Sequence, residues 1–215
     1  MAATYLNLQN WFARAIGEND YTSLDATHKA LINDKLKEIS SRYPFKCNKK
    51  STSVSISSNV GNLPTDFDYS HSHNIKVYSY SSTEKYTYYE VPFDDVTSYP
   101  TSSYVYALDN ENTRIKTNQT SATVTLDYFS IPEDLTNTTD TTKFPIPKAI
   151  SLEAAGDYWE IFEEEEDKAK ILYLKADSLI NQAISKENLN KEPRKLSSIL
   201  DSELSDAPSS LATKR

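Results

Sequence analysis

The sequence has few glycines, one cysteine and no long apolar run. Only three glycines occur among 215 residues, so a glycine-rich loop that cradles phosphate groups is not expected. The single cysteine, Cys47, cannot form a disulfide within the chain and fits a reducing compartment. No stretch of about 18 apolar residues is present, and polar residues interrupt residues 1–16, so neither a membrane span nor a signal peptide is expected.

The chain also lacks an excess of positive charge. Lysine and arginine together number 23 against 31 aspartates and glutamates, which gives a formal net charge of -8. Residues 51–145 alone hold five basic and twelve acidic side chains. Affinity for nucleic acid comes mainly from Lys and Arg neutralising phosphates, so a surface that grips DNA is not expected. A surface past which DNA slides is compatible with this charge.

The most regular apolar pattern lies in residues 144–186. Pro145 and Pro147 favour the start of a helix, and apolar residues then recur every three or four positions as far as Ala183. One straight helix of about 40 residues would be roughly 60 Å long, more than the width of a compact domain of this size. The sequence therefore predicts a break within 163–167 and two helices folded back on each other. No glycine marks that turn, so one bent helix is the open alternative.

Two further helices are predicted near the N-terminus. The first spans Thr4 to Ile16 and ends at Gly17, a typical C-terminal stop. Thr22 or Ser23 is predicted to cap the second. Tyr43-Pro44-Phe45 ends it, because the residue before a proline disfavours helical geometry.

From Lys50 onward the pattern changes to a period of two. Serine, threonine and tyrosine alternate with apolar residues in six segments, which indicates strands joined by polar turns. The last segment places Val124, Leu126 and Tyr128 on one face and polar residues on the other, so one side of the sheet should face solvent. The six predicted strands are 54–56, 75–80, 86–91, 104–108, 113–116 and 122–129.

The expected fold is therefore α+β, an antiparallel bundle of about four helices with an inserted small antiparallel β-module and an extended C-terminal tail. Residues 1–50 would form the first part of the bundle and residues 146–186 the second. Residues 51–145 would form the β-module, and residues 187–215 the C-terminal extension.

No catalytic, metal or cofactor site is predicted. His71 and His73 form an HxH pair without a third ligand at a known spacing. Cys47 precedes two lysines, but no triad context supports a reactive thiol. The fifteen tyrosines are compatible with base stacking or a sugar-binding surface. On strands that also carry serine and threonine, however, they more often fill a β core or form subunit contacts.

Several features follow one another along residues 4–186 in a characteristic order. They are Trp11 in the first helix, Tyr43–Phe45 closing the second, LPTDF at 63–67, TLDYFSIP at 125–132, FPIP at 144–147 and the alanine-rich helix that follows. In this order and spacing the chain resembles the head-to-tail adaptor (connector) proteins of tailed bacteriophages, the gatekeeper rings of the neck.

The resemblance implies a virion structural protein without enzymatic activity. Such a protein forms a ring of about twelve copies in the virion neck, after synthesis in the host cytoplasm. Its partners are other copies of itself, the portal protein and a tail or tail-hub protein below. DNA passes through the ring without specific binding. The implied roles are head completion, tail attachment and genome passage.

Two sets of carboxylates are candidates to face the channel, since an acidic lumen repels phosphates. The first set is Glu163, Glu164, Glu165 and Glu166, and the second is Asp94 and Asp95. The alternative for the first set is a solvated turn with no further role.

The C-terminal extension contains a short amphipathic pattern after Pro193. A helix that cannot fold alone is a candidate to fold onto a partner, and the resemblance implies docking on the portal; a flexible tail without a fixed partner is the alternative. The docking residues would be Lys195, Leu196, Ile199, Leu200 and Leu204.

Two other functions fit the sequence less well. One is a different virion component, such as a tail-completion or fibre-attachment protein. The other is a soluble binding domain that recognises carbohydrate through its tyrosine-rich strands.

Overall fold

The computed structural model describes residues 3–189, apart from residues 83, 110 and 112. This part of the chain contains four α-helices and nine β-strands. The helices are α1 (Tyr5–Ile16), α2 (Ala26–Arg42), α3 (Pro147–Ile161) and α4 (Glu166–Leu189). The strands are β1 (Ala3–Thr4), β2 (Lys49–Ser57), β3 (Val60–Asn62), β4 (Lys76–Ser81), β5 (Glu84–Glu90), β6 (Val105–Leu108), β7 (Arg114–Thr117), β8 (Ser121–Phe129) and β9 (Thr141–Thr142).

Polar side chains define the starts of the N-terminal helices. The Thr4 hydroxyl accepts a hydrogen bond from the backbone of Asn7, and α1 ends at Gly17, whose φ is 92°. The cap of helix α2 lies two or three residues later than predicted. Thr22 and Ser23 lie in a short 3₁₀ turn, and Asp25 caps α2 together with His28 in a reciprocal pair of hydrogen bonds.

Helices from both ends of the chain share one hydrophobic cluster, here called the helical cluster. Its residues come from 3–45 and from 135–183, and Phe12, Ile32, Ile39, Ile150 and Ile180 are among those completely buried. The rings of Phe45 and Phe144 pack edge to face at 4.7 Å, which joins the two segments directly. At Ala3 and Thr142, strands β1 and β9 pair as well.

The central part of the chain forms a closed seven-stranded barrel. Its strand order is β2-β3-β7-β6-β5-β4-β8, and all neighbours are antiparallel except β5 and β6. Strands β2 and β8 pair over nine residues, from Lys49 opposite Phe129 to Ser57 opposite Ser121. Inside lies a second cluster, here called the barrel cluster, which includes Val54, Ile56, Val77, Ile115 and Leu126.

The predicted fold class is therefore wrong. The protein is a closed β-barrel combined with helices, not a helical bundle that carries a small antiparallel β-module. Closure depends on β3, a three-residue strand that was not predicted and that lies between β2 and β7. It also depends on the parallel pair β5–β6. A period of two identifies strands, but it does not say which strands are neighbours or whether the sheet closes.

The barrel is attached to the helices by buried polar contacts. His71 is buried, and its Nε2 lies 3.1 Å from the carbonyl oxygen of Ser40 in α2. The backbone N–H of Ser130 donates to the carbonyl of Asn48 at 2.8 Å, where the chain enters and leaves the barrel. The contact with Ser40 gives His71 a structural role.

Candidate functional site

Helices α3 and α4 form an antiparallel hairpin that carries the first set of predicted site residues. The predicted break within 163–167 is confirmed, since α3 ends at Ile161 and α4 begins at Glu166. In place of a glycine, Glu164 takes a positive φ of 54°. The N–H of Glu165 donates to the carbonyl of Trp159 at 2.8 Å and closes the turn.

Residues 161–166, here called the hairpin tip, are exposed along their whole length. Glu163 accepts a hydrogen bond of 2.9 Å from the Tyr158 hydroxyl, and this bond raises the pKa of Tyr158 above its ordinary value. The carboxylate of Glu165 lies 3.6 Å from the ammonium of Lys168. No cation of the described residues pairs with Glu164 or Glu166. The tip is therefore an acidic surface on which Glu164 and Glu166 have no ion-pair partner among the described residues.

The same hairpin exposes large apolar side chains. Ile161 is 62% exposed and Phe162 51% at the tip, and Ile171 is 53% and Leu174 61% on the outer side of α4. Isolated exposed apolar residues are ordinary, but a group of four on one hairpin is typical of a surface that binds a partner.

One flank of the hairpin forms a shallow groove of about 610 Å³, here called the lysine groove. Its floor is apolar and its two cations have no carboxylate partner among the described residues. The groove is lined chiefly by Lys148, Leu152, Ile171, Leu174, Lys175 and Leu179.

The opposite flank is a charged network that joins α2 to the hairpin. The ammonium nitrogen of Lys35 lies 2.9 Å from a carboxylate oxygen of Asp157. A guanidinium nitrogen of Arg42 lies 2.5 Å from a carboxylate oxygen of Glu153. Glu38 bridges both cations, at 2.6 Å from Lys35 and 2.9 Å from Arg42. Glu153 is 2% exposed, and its burial outweighs the nearby guanidinium and raises the pKa of this carboxyl.

Tyr173 extends this network along α4. Its hydroxyl oxygen lies 2.8 Å from Asp157 Oδ1 and 2.6 Å from Glu160 Oε2, so these two carboxylates share its one proton. Burial together with these carboxylates raises the pKa of Tyr173. Sequence analysis missed the whole network. The spacing of Lys35, Glu38 and Arg42 on one helix was visible in the sequence, but Glu153 and Asp157, which complete the network, lie more than a hundred residues away.

The second set of predicted residues belongs to the barrel. Asp94 and Asp95 are exposed in the 3₁₀ turn Phe93–Ser98, which packs against β6 and β7. The structure therefore does not bring them together with Glu163–Glu166. Nearby strands and turns expose Tyr80, Tyr89 and Tyr99, so part of the barrel's tyrosine content lies outside its core.

Three further features considered in the sequence were a reactive Cys47, a metal site and a membrane span. Burial raises the pKa of the Cys47 thiol to about 11, which disfavours the nucleophilic thiolate. Across the described residues, no three His, Cys, Asp or Glu side chains are grouped to hold a metal ion. None of the helices in residues 3–189 combines the length and the apolar character that a membrane crossing requires.

The predicted docking segment of the tail lies outside the described residues. It comprises Lys195, Leu196, Ile199, Leu200 and Leu204.

Comparison with protein families gives a match over most of the chain. The family model described as SU10 adaptor protein matches residues 3–197, which include both helical segments and the entire barrel. No curated protein matches the sequence.

Proposed function

Since the chain belongs to the SU10 adaptor protein family, which indicates a phage adaptor, we propose that it is a virion structural protein of the neck that joins the portal to the tail. The family match carries this proposal, because it spans the hairpin and the barrel together. The proposed roles are head completion, tail attachment and passage of the genome. These roles require no catalytic step.

In this role the protein forms a ring of about twelve copies around the DNA, the closed assembly that repeated heterologous contacts give when their rotation closes. The exposed apolar residues of the hairpin, Ile161, Phe162, Ile171 and Leu174, support the proposal that copies associate. The partners are the portal protein above and a tail or tail-hub protein below.

The net charge of -8 supports a lumen through which DNA passes without specific binding. Carboxylates in the lumen repel phosphates, whereas lysines would retain them. The exposed candidates are Asp94 and Asp95 in the barrel and Glu163–Glu166 in the hairpin tip.

We also propose that residues 195–204 dock on the portal. Their apolar residues recur at helical spacing after Pro193, and a short amphipathic segment gains stability when it folds onto a partner.

Mass measurement under native conditions, with and without purified portal protein, tests this function. The expected result is a small species alone and about twelve copies on the portal ring. A monomer in both samples would contradict the proposal. A chain truncated after Leu189 should lose most of its portal binding; normal assembly of that truncated chain would exclude a docking role for the tail.

A further inference from the structure

We infer that the hairpin tip of one copy docks into the lysine groove of the next copy, and that this contact repeats around the ring. The inference rests on the proposed function, since it names the surfaces by which the copies associate. The occupant of the groove is therefore a second copy of this chain.

The lysine groove and the charged network lie on opposite flanks of the hairpin. On α4, Lys175 and Leu179 project to one side and Tyr173 and Asp177 to the other, as 100° per residue requires. The network flank already has its cations paired with carboxylates of the same protomer. The groove flank has no such internal partner for its lysines among the described residues.

Charge and apolar surface both match between tip and groove. The tip combines the exposed side chains of Ile161 and Phe162 with the carboxylates of Glu164 and Glu166. The groove combines an apolar floor with the ammonium groups of Lys148 and Lys175. Apolar area is buried at the centre of such a contact and opposite charges face each other at its rim, which is the usual anatomy of a specific interface.

The two surfaces cannot satisfy each other within one copy. Leu174 lies eight residues beyond Glu166, the first residue of α4, which places it about 12 Å along a rigid helix from the tip. The contact must therefore be made between copies. When the tip of each copy binds the groove of the next, the contact is heterologous, and such contacts form a ring when their rotation closes.

This inference also separates the two sets of lumen candidates. Glu164 and Glu166 would face lysines of the neighbouring copy, not DNA. Asp94 and Asp95 would then be the carboxylates that are free to line the channel.

Disulfide cross-linking tests the contact directly. In a Cys47→Ser background, Ile161→Cys and Leu174→Cys are introduced in one chain, the chain is assembled on portal protein, and the ring is oxidised. The two new cysteines are too far apart to bridge within one chain, so a ladder of covalent oligomers on a denaturing gel is expected. The matched control carries Ile161→Cys with Tyr80→Cys on the barrel and should give no ladder beyond dimers.

Charge exchange provides a second test that leaves the core untouched. Replacing Lys148 and Lys175 with Glu should lower the yield of assembled rings by about tenfold, because like charges would then face each other. Adding Glu164→Lys and Glu166→Lys to the same chain should restore the yield.

The outcomes separate this inference from the proposed function. Rings of normal mass that give no ladder, or whose yield does not respond to the charge exchange, would overturn the tip-to-groove contact and leave the adaptor role intact. Failure of the unsubstituted chain to form rings on the portal would instead contradict the proposed function.

Discussion

The helical cluster and the barrel cluster are built from the chain in opposite ways. The barrel takes all of its strands from one continuous segment, Lys49 to Phe129. The helical cluster takes its residues from before and after that segment, so it is complete only when both ends of the chain are present. The barrel should therefore fold as an independent unit, whereas each helical half depends on the other.

Dissection of the chain gives the largest expected effect. A fragment of residues 46–132 contains every barrel strand and should unfold cooperatively, as measured by circular dichroism in urea. Fragments 1–45 and 143–189 should each be largely unfolded alone, because neither can bury its apolar face. Mixing these two should restore helical signal. Independent folding of either helical fragment would contradict the conclusion that each helical half depends on the other.

Glycine substitutions sharpen the comparison at the level of packing. At Gly61 in the barrel, a Cβ would lie 2.7 Å from Val54 Cγ1 and 2.8 Å from the backbone oxygen of Ser55. Gly61→Ala should therefore cost about 3 kcal/mol of unfolding free energy, since backbone cannot move aside.

At Gly156 in α3, the obstacle to a Cβ is the ring of Tyr173. A side chain can shift, and alanine favours a helix over glycine by about 1 kcal/mol. Gly156→Ala should therefore cost about 1 kcal/mol in the same denaturation assay. If Gly156→Ala cost as much unfolding free energy as Gly61→Ala, or more, the distinction between a backbone obstacle and a side-chain obstacle would be wrong.

Two carboxyls should respond to pH in opposite directions. Burial alone would raise the pKa of Asp66 in the barrel, but Lys50 and the Tyr128 hydroxyl outweigh it and hold the pKa below its ordinary 3.8. Its contribution to stability is therefore present above pH 3.8 and lost as the pH falls through the lower folded value.

Glu153 behaves in the opposite way, because burial raises its pKa above the ordinary 4.5. Its favourable contribution is present below pH 4.5 and lost as the pH rises through the folded pKa. Urea unfolding of Asp66→Asn and Glu153→Gln, at pH values below 3.8 and above 4.5, measures both contributions to stability. Relative to wild type, Glu153→Gln should gain stability as the pH rises, and Asp66→Asn should lose stability. Parallel pH profiles would show that the two environments do not differ.

The smallest expected effects come from two turns with positive φ. Glu164 in the hairpin tip has φ of 54° and Ser58 in the β2–β3 turn has φ of 51°. Glycine adopts this geometry without steric cost, so Glu164→Gly and Ser58→Gly should each raise stability by about 1 kcal/mol. Asn59, with φ of 70°, gives the contrast. Asparagine tolerates this region, and its Nδ2 donates to the Thr117 carbonyl at 3.0 Å, so Asn59→Gly should gain less. Thermal melting measures all three variants.

Sequence analysis located elements well and their arrangement poorly. Residues 54–56 and 122–129 were correctly predicted as strands, because alternation is a local signal. The barrel was missed, since its closure depends on the short strand Val60–Asn62 and on pairings between distant strands. The α3–α4 turn was predicted from helix length, although Glu164 gives no turn signal in sequence.

The same limit applies to the candidate surfaces. The acidic residues Glu163–Glu166 could be named from sequence because they are consecutive. The lysine groove could not, since Lys148 and Lys175 lie on different helices and Ile171 reads as one more residue of an amphipathic pattern. Which apolar residues of a helix remain uncovered is decided by packing, not by spacing.

Imaging of the assembled virion tests the adaptor role most directly. Antibody or tag labelling of this chain at Tyr80, on the exposed barrel surface, can be followed in averaged electron micrographs of intact particles. The expected result is a ring of label at the neck, between portal and tail. Label at the distal tail, at the fibres, or nowhere on the particle would contradict the assignment.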